Sequence, residues 1–146
     1  SKKGVRNTYL RGDLNALDYT LLEMHPEHHA YVRDWIALRL SEAGKLLRPA
    51  EHPSESYYQS FESEDGQGAA LLINSDQSAG SIRLLFAVNP FANKEVLLPV
   101  APEQFGEVVL VADSEKVSGK GLQDDFARKD GCLRLPSTSS AMWTIS

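Results

Sequence analysis

Two hydrophobic rhythms divide the chain. Between Pro26 and Gly44, apolar residues recur every three or four positions. Tyr31, Trp35 and Leu38 form one stripe; Val32, Ile36, Leu40 and Ala43 form the adjacent one. At 3.6 residues per turn the stripes merge into an apolar arc of roughly half the helix circumference. So wide an arc predicts a helix buried against two neighbours. Pro26 suits the first helical turn and Glu27 its positive end. Gly44 suits a left-handed cap, with Lys45 and Arg48 near the negative end. Arg39 falls inside the arc. It reads either as a buried ion pair with Asp18 or Asp34, or as a side chain snorkelling to solvent.

From Tyr57 the rhythm shortens. Strands are expected at 57–62, 69–73, 82–88, 95–100, 108–112, 133–135 and 141–145. Ile82, Leu84, Phe86 and Val88 alternate with Arg83, Leu85, Ala87 and Asn89, the period of a pleated strand. Turn residues separate the runs: Glu64-Asp65-Gly66-Gln67-Gly68, Asn74-Ser75-Asp76 and Asn89-Pro90. About seven short strands with such punctuation predict an antiparallel sandwich or barrel. The segment 49–55, with Pro49 and Pro53, reads as a linker. The charged stretch from Asp113 to Asp130, with Gly119 and Gly121, reads as a long loop with a poorly ordered tip. Residues 1–24 hold no sustained period; Gly12 and the Asn and Asp residues favour an irregular loop.

Composition narrows the classes. At 146 residues with 42% hydrophobic residues, the chain can form a core without staples. A net charge of -5 and no basic run beyond Lys2-Lys3 argue against a nucleic-acid surface. No apolar run approaches a membrane span. Cys132 is the single cysteine, so no internal disulfide forms; it leans towards a reducing, cytoplasmic compartment without fixing it. The chain opens on Ser1 rather than Met and runs straight into polar residues. It is therefore expected to begin inside a longer protein.

Candidate chemistry is sparse. His25 and His29 are four apart and could face one metal, with His28 beside them. No third ligand is obvious, so they read as surface histidines, with no metal and no cofactor expected. There is no Gly-x-Ser-x-Gly, phosphate loop or dinucleotide fingerprint, and no catalytic residue is assigned. The pairs Glu64-Asp65 and Asp124-Asp125 read as solvated turn residues, because a glycosidase pair must converge from separate elements. The run from Asn7 to Tyr19 is richer. Asn7, Tyr9, Arg11, Asp13 and Asn15 supply the amide, phenol, guanidinium and carboxylate groups that bind sugars.

That run, Asn-Thr-Tyr-Leu-Arg-Gly-Asp-Leu-Asn-Ala-Leu-Asp-Tyr, resembles the loop after the last barrel strand in glycoside hydrolase family thirteen, most of all its pullulanase-type debranching enzymes. Trp35-Ile36-Ala37-Leu38-Arg39 is similar to the signature closing that family's final barrel helix. Leu84-Leu85-Phe86-Ala87-Val88-Asn89-Pro90 and the run from Leu133 to Trp143 resemble strands of its C-terminal domain. The family loop has one more residue between Asp13 and Asn15, and Trp where Tyr19 stands.

The resemblance implies a mainly β chain. Residues 1–48 would be the last loop and amphipathic helix of a (β/α)8 barrel, 49–55 a linker, and 56–146 a C-terminal antiparallel β-sandwich. It implies sugar contacts at Asn7, Tyr9, Asp13 and Asn15. It also implies a parent that cleaves α-1,6 branches of an α-glucan, while this chain is structural and not catalytic alone. Its partners would be the rest of the barrel or, for the isolated chain, a second copy paired through Trp35 and Ile36. Two alternatives stand beside it. One is a non-catalytic carbohydrate-binding sandwich that stacks sugar on Tyr57, Tyr58, Phe91 or Trp143, although Trp143 alternates as a core residue does. The other is an unrelated β domain acting in protein contacts.

Overall fold

The computed structural model describes residues 23–146. The chain divides after Ala30, and the sheets belong to the unit that begins at Tyr31.

Helix α1 (Pro26–Leu40) is shorter than its periodicity predicts. Its last turn is closed by Ser41, whose N–H and hydroxyl both donate to the Leu38 carbonyl, at 3.1 and 2.6 Å. A 3-10 turn, Ala43–Leu47, follows. The expected left-handed cap at Gly44 is absent: the residue is not among the positive-φ glycines. Glycine is needed there for closeness, since a Cβ would sit 2.2 Å from the Leu38 carbonyl oxygen. Arg48 does serve the helix end, its Nε donating to the Arg39 carbonyl at 3.1 Å.

The broad apolar arc is not buried as a whole. Leu38 is buried and Tyr31 and Trp35 are half-buried, their rings edge-on at 6.2 Å. Val32, Ile36 and Leu40 are 55%, 55% and 66% exposed. Among the described residues, the helix meets the large sheet along one of its two stripes. Arg39 is exposed. Asp34 pairs with Arg33 at 2.8 Å rather than with Arg39, and Asp18 lies outside the described residues.

The remainder is mainly β. Strands β1 (Tyr58–Glu62), β2 (Ala69–Ile73), β3 (Arg83–Asn89), β8 (Ser139–Ile145) and β5 (Val108–Asp113) form a five-stranded antiparallel sheet in that spatial order. Strands β4 (Val96–Leu98), β7 (Cys132–Leu135) and β6 (Arg128–Lys129) form a three-stranded one. Every expected strand is present. The residues between β5 and β6 are more structured than a loop with a loose tip. Ala112 bridges Val117, and the N–H groups of Ser118 and Leu122 donate to the Val111 and Leu110 carbonyls. The chain thus doubles back along β5.

Side-chain alternation splits the apolar residues of the large sheet. Ala70, Leu72, Leu85, Ala87, Leu110, Ala141, Trp143 and Ile145 pack with Val96, Leu98, Leu133 and Leu135 of the small sheet. The opposite set, Ile73, Leu84, Met142 and the bulged pair Val111 and Ala112, packs with Leu38, Leu46, Tyr57 and the Tyr31 and Trp35 rings. A bulge between Leu110 and Ala112 lets two consecutive residues join the helix side.

Two fully buried asparagines close the loops. Asn74, at φ 61°, donates to the Gly80 and Ile82 carbonyls at 2.8 and 2.7 Å and accepts from the Ala79 N–H. Asn tolerates this left-handed backbone better than a β-branched residue would. Asn89 donates to the Lys94 and Pro136 carbonyls at 2.7 and 2.8 Å and accepts from the Phe91 N–H.

Candidate functional site

The sugar-binding candidates Asn7, Tyr9, Asp13 and Asn15, with Arg11, lie outside the described residues. The aromatic candidates divide. Trp143 is fully buried between the two sheets, and Tyr57 is buried with its hydroxyl donating to the Leu46 carbonyl at 3.1 Å. Burial raises the Tyr57 pKa, aided by Tyr58 and Asp76. Neither ring is open to a ligand. Tyr58 and Phe91 remain, 43% and 38% exposed.

A cleft of about 500 Å³ opens between the 3-10 turn at 43–47, residues 49–53 and the 78–82 loop. Residues next in sequence to its lining are tied together. Ser54 and Ser56 both donate to Asp76 Oδ2, at 2.8 and 2.9 Å. Asp76 is pulled down to about 2 by hydrogen bonds from the Ser78 backbone and hydroxyl first, and then from Ser54 and Ser56. Lys45 is paired with Glu42 at 2.6 Å. His52 Nδ1 lies 3.0 Å from the Pro53 carbonyl, and among the described residues no serine of the cleft hydrogen-bonds it. The walls mix polar and apolar residues, and among the described residues none is a nucleophile activated by a base.

A second groove, of about 420 Å³, lies between residues 113–115, 123–126 and 136–139. Its carboxylates hold turns: Asp113 accepts from the Glu115 and Lys116 N–H groups, and Asp125 from the Gln123 amide. Beside it is a charged cluster that the sequence did not reveal. Asp124 accepts from the Trp143 indole at 2.6 Å and from both terminal nitrogens of Arg128, at 2.8 and 2.6 Å. Arg128 lies over the Trp143 ring at 5.5 Å, and its Nε is 2.9 Å from Glu103, an ion pair without hydrogen-bond alignment. Burial alone would raise the Asp124 pKa, but the Arg128 and Trp143 hydrogen bonds outweigh it and the value is lowered. Asp124 is therefore not a solvated turn residue. Its partner Trp143 is a core residue, so the cluster's work is structural.

Asp65 also has a partner, the Lys94 ammonium, and its pKa falls to about 2 through that bond and one from Ser63. At the start of α1, where the sequence reads as surface histidines, His25, Glu27 and His28 converge. Glu27 Oε1 lies 3.2 Å from His28 Nδ1 and 3.8 Å from His25 Nδ1.

No family model, curated protein or solved structure matches this chain.

Proposed function

We propose that this chain is a non-catalytic C-terminal part of a pullulanase-type debranching glycoside hydrolase. In this reading the paired sheets are the C-terminal β-sandwich and α1 is the last barrel helix. The observation that carries it is the two-sidedness of α1. One stripe, Tyr31, Trp35 and Leu38, packs on the large sheet, while Val32, Ile36 and Leu40 on the adjacent stripe are exposed. A helix that closes a barrel and also carries a C-terminal domain needs two such stripes. The order of helix and β domain is the one the resemblance implies. In the parent, Asn7, Tyr9, Asp13 and Asn15 would line the α-glucan cleft.

The catalytic carboxylates of a retaining glycosidase would lie on earlier barrel strands, and a barrel takes about 250 residues. The purified chain, incubated with pullulan, is expected to release no reducing sugar above a buffer blank. Measurable release would sink the proposal. Titration with maltooligosaccharides is expected to leave Trp fluorescence unchanged. Micromolar binding would instead identify a carbohydrate-binding domain.

A further inference from the structure

The first turn of α1 and the residue just before it bring three ligand-type side chains to one point. The donor atoms of His25, Glu27 and His28 all lie within 4.8 Å of one another. Both imidazoles turn the same nitrogen, Nδ1, towards Glu27 Oε1, and their rings meet edge-on at 5.6 Å. Pro26 fixes the backbone between His25 and Glu27, so the turn that presents them is stiff. The three side chains are 53%, 66% and 78% exposed, in chain order. Open to water, they can rotate the remaining ångström or so without disturbing a core.

We infer that His25, Glu27 and His28 form a surface site for a divalent first-row transition metal of the Zn²⁺, Ni²⁺ and Cu²⁺ class. Two imidazole nitrogens and one carboxylate oxygen are the ligand types these borderline ions prefer, while Mg²⁺ and Ca²⁺ require mostly oxygen. At metal–ligand bonds of about 2.0–2.2 Å, tetrahedral donors stand roughly 3.3 Å apart. The Glu27–His28 distance already meets that spacing, and His25 closes by a small side-chain rotation. The fourth position stays open to water, as in zinc sites with three protein ligands. The metal takes the place of the weak carboxylate–imidazole contacts. The inference is independent of the glycosidase reading, since it uses only residues of this turn.

The test is calorimetric titration of the untagged chain with ZnCl₂ in a non-chelating buffer near neutral pH. One-to-one binding tighter than about 100 µM is expected, a value suited to an exposed three-ligand site. His25→Ala, His28→Ala and Glu27→Gln should each weaken it about tenfold or more. His29→Ala, His52→Ala and Cys132→Ser should leave it unchanged. Copper(II) bound to the chain should show two coupled nitrogens in its electron paramagnetic resonance spectrum. Affinity weaker than about 100 µM would overturn the site. So would binding that survives the His25→Ala/His28→Ala double variant, or binding lost with His29→Ala. Circular dichroism of each variant separates loss of ligand from loss of helix.

Discussion

Asp124 accepts hydrogen bonds from Arg128 and from Trp143, a residue 19 positions away in the centre of the core. Its side chain is only 23% exposed. Removing the charge while keeping the shape leaves the indole N–H and the guanidinium short of an acceptor. Asp124→Asn is therefore expected to cost about 2 kcal/mol at neutral pH, measured by urea unfolding. The pH dependence follows from the direction of the shifts. A carboxylate whose folded pKa is lowered stabilises the fold above its unfolded value of about 4, and that contribution is lost as pH falls through the folded value. Asp65 and Asp76, both near 2 in the fold, act in the same direction. Stability of the unsubstituted chain should thus decline between about pH 4 and pH 2, and less steeply in the Asp124→Asn variant. An equal slope in both would remove Asp124 from the account. None of this was legible in the sequence. Asp124-Asp125 is an ordinary loop dipeptide until Trp143 is folded beside it. Asn89 was easier, because an Asn-Pro pair after an apolar run marks a strand end; its bonds to the Lys94 and Pro136 carbonyls required the fold.

At the scale of elements, periodicity located α1 but not which half of its arc meets a neighbour. A 3.6-residue repeat reports that a side is apolar; it does not report what lies opposite. The helix end was misplaced for a related reason. Gly44 signals a left-handed cap by type, whereas here it lets the 3-10 turn approach the Leu38 and Arg39 carbonyls. The two stripes should separate experimentally. Leu38→Ala is expected to destabilise the chain by about 3 kcal/mol, as for a buried leucine. Ile36→Ser should change stability by less than about 0.5 kcal/mol. If the exposed stripe pairs two copies, the same Ile36→Ser change should remove the dimer in sedimentation. Equal losses of stability from both substitutions would contradict the one-sided packing. Strands were more legible than the helix end, since alternation and turn residues act over a few positions. Strand β6 was missed because it is only two residues long. Its signal was present in Asp130-Gly131, both at positive φ, 53° and 76°, the requirement of a tight hairpin turn.

For the whole molecule, the pairing of strands lay beyond the sequence. Alternation assigns faces, not partners, and nothing in the residues announces the spatial order β1-β2-β3-β8-β5. Residues of both sheets do share one of the two apolar clusters, the one around Trp143. Unfolding of the sheets should therefore be a single step. In a Trp35→Phe variant, Trp143 fluorescence and far-ultraviolet circular dichroism are expected to follow one denaturant curve. Separate midpoints would show that the three-stranded sheet melts alone. The central place of β8 also bears on how the molecule is made. β3 and β5 flank β8, yet both are synthesised before it. While the chain is on the ribosome, each waits with an unpaired edge, a surface prone to join a neighbouring nascent chain. The five-stranded sheet closes only when Ser139–Ile145 has left the exit tunnel, so a stall shortly before that segment should favour aggregation over a partly folded domain.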